Sequence, residues 1–275
     1  MKIRRWLALL GLLLAVAIVV KESREPYLWL YVDDLLRPKP QPRTLSLSED
    51  LTVRLYADPR PHTGKVARLQ KGLTLVVDGQ ERIEEGFGFG LPLIEVNGQA
   101  YLSRSASVWQ VGNTLVKRYE MDTLDTPSGF LRRKYEPVSS IGSVTASYTV
   151  TAGEIEVTVD FSGLETPWDR AYLMNEQGAR LFSRYEEPGL AIEGEQLGKW
   201  QPTTARQGCV VAADRSVRFC VTTEKETPRY YGRERYTQYY WIGFYVLSWT
   251  GIDIELNQPV SHFEYRITVE RQSHD

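Results

Sequence analysis

The densest group of chemically versatile side chains lies at 229–249, RYYGRERYTQYYWIGFYVLSW. Tyr230, Tyr231 and Tyr236 are interleaved there with Arg229, Arg233 and Arg235. Guanidinium forks bind carboxylate or sulfate bidentately, and aromatic faces stack on the C–H surfaces of sugar rings. On a uronic acid these two residue types could carry out elimination. A tyrosine would serve as base and acid while an arginine neutralises the carboxylate. A second basic and aromatic cluster, Arg132, Arg133, Lys134 and Tyr135, could face the same groove. From Tyr236 onward the pattern reads as a long central strand, because Ile242, Phe244 and Val246 are ordinary core residues. Residues 229–235 then read as an arginine-rich loop before it, with Glu224 and Glu234 offsetting part of the charge. The candidate ligand contacts are therefore Arg132, Arg133, Tyr135, Arg229, Tyr230, Tyr231, Arg233 and Tyr236. No residue is assigned a catalytic role.

Other constellations are weaker. Phosphate cradles place glycines at a strand-to-helix turn, so that backbone N–H groups face the anion. In GFGFG, Gly86, Gly88 and Gly90 instead alternate with Phe87 and Phe89, and Leu91-Pro92 follows. That is a strand with one bare face, suited to close approach by another backbone. His62, His262 and His274 are scattered and have no ligand spacing, so no metal or other cofactor is expected. The pairs Asp33-Asp34, Glu84-Glu85 and Glu186-Glu187 sit in polar stretches and read as solvated acids.

The elements that must position these groups are strands. Of the 275 residues, 42% are hydrophobic and 16 are tyrosines, a composition that suits pleated, half-buried surfaces. In 154–161, Ile155, Val157, Val159 and Phe161 fall on one face and Glu154, Glu156, Thr158 and Asp160 on the other. Asp78-Gly79 and Asn97-Gly98 are hairpin signals between alternating runs. Asn175-Glu176-Gln177-Gly178 reads as a turn between strands at 171–174 and 179–185. Roughly sixteen strand candidates follow residue 45, with no helix among them. This predicts an all-β fold, a large antiparallel β-sandwich over 45–275, with two smaller tandem sandwiches as the alternative. Residues 188–202 are the least regular part.

The stretch 128–182, with SGFLRRKYEPV, SYTVTAGEIEVTVDFSGLE and WDRAYLMNEQGARLF, resembles the strand rhythm of galactose-mutarotase-like supersandwich domains. Such domains occur in sugar epimerases and polysaccharide lyases. The resemblance implies a supersandwich-like architecture and a connection to carbohydrates. It transfers no catalytic residue, because none of the three histidines lies in the setting that the epimerases use.

The N-terminus bears on compartment. Lys2, Arg4 and Arg5 precede the apolar run 6–20, which Lys21 closes. Residues 1–21 read as an N-terminal transmembrane anchor or a signal peptide, with Ala15-Val16-Ala17 as a small-x-small box. The positive flank places the remainder outside the cytoplasm. Residues 22–44 form a juxtamembrane segment rich in aromatics and a Pro-rich spacer. Without the four basic residues of 1–21, the chain carries 29 basic against 35 acidic groups, which argues against nucleic-acid binding. Cys209 and Cys220 flank a turn at 213–216, and folding that hairpin about its centre sets them opposite each other. A cross-strand disulfide is expected, with two free buried thiols as the alternative. The leading functional expectation is a membrane-tethered extracytoplasmic β-sandwich that binds a glycan or an envelope protein. The alternative is a lyase or mutarotase-like epimerase using Tyr and Arg of 229–241.

Overall fold

Strand-forming alternation fills almost all of the chain beyond residue 42. The computed structural model describes residues 10–16, 41–57, 70–83, 86–123, 139–224, 227–240 and 243–272, without the side chains of 104, 195, 236–240 and 243–247. Its strands are β1 (Arg43–Ser46), β2 (Leu51–Leu55), β3 (Thr74–Val77), β4 (Gln80–Glu81), β5 (Gly88–Val96) and β6 (Gln99–Val111). Next come β7 (Thr114–Thr123), β8 (Ser140–Thr151), β9 (Glu154–Asp160), β10 (Arg170–Gly178), β11 (Phe182–Glu187) and β12 (Leu190–Glu193). A 3-10 turn (Gly194–Gln196) interrupts the series. The chain continues with β13 (Gln201–Thr203), β14 (Gln207–Ala212), β15 (Val217–Thr222), β16 (Arg229–Tyr240), β17 (Gly243–Leu256) and β18 (His262–Arg271).

Strands β1 to β4 form one small antiparallel sheet. The other fourteen form a single ladder in the order β12-β11-β14-β15-β18-β9-β8-β7-β6-β5-β10-β17-β16-β13. That ladder is folded over on itself. Strands β18 and β10 are six places apart in it, which in a flat sheet would separate them by roughly 29 Å. Yet the Tyr265 hydroxyl of β18 donates to Asn175 Oδ1 of β10 at 2.8 Å. Likewise Phe89 of β5 meets Phe219 of β15 with ring centroids 5.0 Å apart. Tyr231 of β16 stacks on Tyr185 of β11 at 3.9 Å. The two halves of one sheet are thus the two layers of the expected sandwich. One contiguous core runs between them and on through the small sheet, from Val53 and Leu75 to Ile254 and Ile267. The edge strands β12 and β13 have only four and three residues, which limits the unpaired backbone they offer.

Turn chemistry follows the sequence. Asp78-Gly79 and Asn97-Gly98 adopt positive φ at both positions, as tight hairpin turns require. The bare face of GFGFG is occupied by backbone, as the alternation implied. A Cβ at Gly86 would lie 2.7 Å from the Gln177 backbone, and one at Gly88 would lie 2.9 Å from Leu73 O. Two segments depart from the sequence reading. Residues 175–178 continue β10 rather than turning, and residues 229–235 belong to β16 rather than to a loop.

The N-terminal expectation falls largely outside the described residues. Within 6–20 the described helix covers only residues 10–16. Among the described residues no helix is long and apolar enough to cross a membrane. The remainder of that run and residues 22–40 lie outside the described residues.

The expected disulfide is present. Cys209 and Cys220 are direct cross-strand partners in the β14–β15 pair, with Cα atoms 3.9 Å apart. Replacing both by alanine removes a loop constraint over a separation of 11 residues, at a cost of about 3 kcal/mol. Urea denaturation of the oxidised protein against the double variant measures that loss. By the same method, Asn175→Ala is expected to cost on the order of 3 kcal/mol, because it leaves two buried donors, the Gly90 N–H and the Tyr265 hydroxyl, unpaired. Tyr265→Phe, which removes one donor together with its own need for a partner, is expected to cost about 1 kcal/mol.

Candidate functional site

Strand alternation decides where the tyrosine–arginine cluster goes. Successive side chains of β16 point to opposite faces. Tyr231 points inward and stacks on Tyr185, and Arg229 is 3% exposed and donates to Arg206 O. Arg233 lies on the same face, its Nε 3.5 Å from Ser248 Oγ. Tyr230 takes the opposite, outer face, paired across to Asp253 of β17. The expected convergence of Arg229, Tyr230, Tyr231 and Arg233 is therefore replaced by a division between the two faces of one strand. The loop assumption missed this because a loop imposes no period on its side chains. Arg132, Arg133 and Tyr135 lie outside the described residues, as does the Tyr236 side chain.

Tyr230 does enter a pocket. A cavity of about 610 Å³ is lined by Glu95, Gly98, Asp169, Arg170, Tyr230, Glu255 and Asn257. Four adjacent strands supply its floor. Glu95 of β5 is the register partner of Arg170 of β10. Tyr172, two residues along the same face of β10, is the partner of Glu255 of β17, and Tyr230 of β16 completes the row. The rim comes from chain ends and turns: Gly98 from the β5–β6 hairpin, Asp169 before β10 and Asn257 after β17. Asp169 Oδ2 accepts the Asn97 N–H at 2.6 Å, and the Asp169 N–H donates to Glu95 O at 2.9 Å, which fixes that corner.

Arg170 is the organising charge. Its Nε lies 2.9 Å from Glu255 Oε1 and its Nη1 lies 3.8 Å from Glu95 Oε2. Nη1 also donates to the Tyr172 hydroxyl at 3.1 Å, and that hydroxyl donates to Glu255 Oε1 at 3.3 Å. The Glu255 carboxylate beside Tyr230 raises its phenol pKa, with burial adding to the effect. Burial raises the pKa of Tyr172 against the pull of Arg170. Both phenols stay protonated at neutral pH and serve as donors. Three carboxylates face one guanidinium, so the pocket is net negative, and its guanidinium is already engaged. Such a surface accepts hydrogen bonds from hydroxyl groups and repels carboxylates and sulfates. Among the described residues no group of three or more His, Cys, Asp or Glu side chains could hold a metal ion.

The sequence reading missed Glu95, Asp169, Arg170, Tyr172 and Glu255. They lie on three segments of the chain, and only the strand order brings them together. The period-two alternation of 252–256 was the available signal, since it puts Asp253 and Glu255 on one face.

No family model matches the chain, and no curated protein does. Among solved structures it is similar to a proposed aldose 1-epimerase of Escherichia coli K12, at 11% identity over 84% of this chain and 99% of that one, TM-score 0.43. It is also similar to a galactose mutarotase-like protein of Lactobacillus casei ATCC 334, at 9% identity over 84% and 100%, TM-score 0.42. The heparan sulfate lyase HepC of Pedobacter heparinus is 10% identical over 86% of this chain, which spans only 36% of the lyase, with a TM-score of 0.48. These neighbours belong to the group that the strand rhythm of 128–182 resembles. The likeness is one of architecture and carries nothing of their chemistry.

The division of β16 between two faces has a direct test. Tyr231→Ala removes a buried ring from the interlayer stack and is expected to cost about 3 kcal/mol of stability. Tyr230→Ala, on the outer face, is expected to cost about 1 kcal/mol or less. Chemical denaturation of the two variants side by side measures the difference, and equal losses would mean that both rings are core.

Proposed function

We propose that this chain is an extracytoplasmic, membrane-tethered β module of supersandwich type that binds a neutral glycan in the pocket of Glu95, Arg170, Glu255 and Tyr230. The observation that carries this reading is the state of Arg170. Held by two carboxylates and a phenol, it orients acceptors rather than offering itself to an anion. Around it, acidic acceptors and phenolic donors line a cavity of about 610 Å³, room for a few sugar units. A uronate lyase would need an uncommitted cation for the substrate carboxylate and a tyrosine of lowered pKa. This pocket has neither property, so binding is favoured over turnover.

Two observations support the tether and the compartment. The disulfide fits an oxidising environment. In the short helix 10–16, Leu10, Leu12, Leu13, Leu14 and Val16 are all between 48% and 64% exposed, an apolar surface suited to lipid. The basic residues at its N-terminal side would hold that end in the cytoplasm.

Calorimetric titration of the full chain in detergent micelles with neutral and uronic-acid oligosaccharides tests the reading. Neutral glycans are expected to bind and uronates not. Glu255→Gln and Arg170→Ala are each expected to weaken binding about tenfold or more. Preferential binding of uronates, or full affinity in both variants, would overturn the pocket assignment. Absence of glycan binding altogether would transfer the role to an envelope protein partner, to be sought by crosslinking in membranes.

A further inference from the structure

A second group of titratable side chains lies on the same outer face, one step along the strands from the pocket. The carboxyl groups of Glu176 of β10 and Asp253 of β17 face each other there: Asp253 Oδ1 accepts the N–H of Asn175, the residue before Glu176, and each carboxyl acts on the proton affinity of the other. They meet where the β10–β17 ladder is interrupted. Register pairs run to Leu173↔Ile254 and resume at Glu176↔Gly251. In the gap the Asn175 N–H donates to Asp253 Oδ1, at 3.2 Å, in place of a backbone carbonyl. Glu176 is 2% exposed, and its Oε2 makes no hydrogen bond among the described residues.

A hydrogen bond between two carboxyl groups requires a proton, because carboxylates only accept. Oε2 is buried and unbonded among the described residues, and there the cation that faces an ionised Glu176 is the Lys71 ammonium, which also donates to Gly86 O. The other charged groups that face the pair are acidic or phenolic. Glu234 of β16 opposes ionisation of Glu176, and Tyr265 of β18 senses the charge of Asp253. Tyr230 of β16 is the register partner of Asp253.

We infer that Glu176 and Asp253 are a proton-sharing acid pair that closes the β10–β17 seam and makes both the seam and the adjoining pocket sensitive to pH. When both are ionised, the bond between them is lost and two negative charges oppose each other across the seam. The pocket responds because both strands wall it. Arg170 and Tyr172 lie on β10, and Glu255 lies two residues from Asp253 on the same face of β17, about 7 Å away. Burial drives the proton affinities in the same direction. It raises Glu176 well above the ordinary glutamate value, with the Asp253 charge adding to the shift. It also raises Asp253, to about 7. Both acids therefore bind protons more tightly folded than unfolded. The stabilisation is complete below the unfolded carboxylate range and is lost as pH rises through about 7.

The test is a melting series of the full chain from pH 5 to pH 8. The wild-type Tm is expected to fall by roughly 5 °C across that interval. Glu176→Gln, whose amide donates at every pH, is expected to hold a nearly constant Tm. If Glu176→Gln retains the wild-type slope, the acid pair is not the sensor and the inference is wrong. Should that variant fail to fold, Asp253→Asn gives the same reading, because its side chain keeps an acceptor for the Asn175 N–H and donates to Glu176. The extension to the pocket rests on the glycan-binding reading. Affinity for a neutral oligosaccharide is expected to fall about tenfold over the same range in wild type and not in Glu176→Gln. Parallel falls in both would remove the regulatory role. No glycan binding at any pH would overturn the pocket reading and with it this extension, while the melting series would still decide the acid pair.

Discussion

Much of the molecule hangs on one side chain. Asn175 sits at the irregularity in β10, where the register against β5 shifts between Met174 and Asn175. Its Oδ1 accepts the Gly90 N–H at 3.1 Å and the Tyr265 hydroxyl at 2.8 Å, while its Nδ2 donates to Leu173 O at 3.1 Å. One amide thus ties β5, β10 and β18, two neighbouring strands of one layer and one strand of the other. An unpaired buried donor is costly, so a residue that satisfies three partners at 0% exposure constrains all of them together. Tyr148 extends the polar seam, its hydroxyl donating to Phe89 O at 2.9 Å and lying 3.3 Å from the Tyr119 hydroxyl. Burial raises the pKa of both phenols, so they remain neutral donors. An interior of aliphatic residues alone would tolerate sliding between layers, whereas these directional bonds admit one register.

The two outer faces then diverge. On the layer of β11, β15, β18 and β9, arginines and glutamates neutralise one another strand by strand. Arg184 meets Glu186 at 2.6 Å, Arg218 meets Glu270 at 2.6 Å and Arg266 meets Glu154 at 3.1 Å. Exposed pairs of this kind contribute little stability each, but they satisfy the charges of that face against one another. On the layer of β5, β10, β17 and β16, Arg170 is shared among acids and phenols at the cavity. The two outer faces thus differ in how their charges are arranged, paired strand by strand on one and gathered around a cavity on the other.

Local signals were readable in the sequence wherever a residue has a conformational job. Asn97-Gly98 and Asp78-Gly79 demand positive φ, the glycines of GFGFG admit another backbone, and the alternation of 154–161 assigns inside and outside. These follow from sterics and solvation within a few residues. Cys209 and Cys220 were placed correctly for the same reason, since folding one hairpin about its turn is a local operation. The tyrosine–arginine stretch divides between two faces at Arg229, Tyr230, Tyr231 and Arg233, because composition without register does not say which face a side chain takes. The pocket could not be read at all. Glu95, Arg170, Glu255 and Tyr230 are neighbours only through a strand order that joins residues up to 160 positions apart.

The misreading of 175–178 is the most instructive. Asn-Glu-Gln-Gly has the composition of an exposed turn, and its local preference is indeed to bend. The fold keeps these residues extended and buries the first three at 2% exposure or less. A core position that overrides local preference needs partners strong enough to hold it, and Asn175 has them on three sides. Its neighbours do not. Glu176 has one oxygen unpartnered, and neither amide atom of Gln177 finds a hydrogen bond among the described residues. The segment therefore concentrates the structure's unresolved polar demand in one place. That place lies on the strand that carries Arg170, immediately beyond the residue that ties the layers together. Where local preference and tertiary placement conflict so sharply in an otherwise consistent β sequence, selection for something other than stability is the physical expectation.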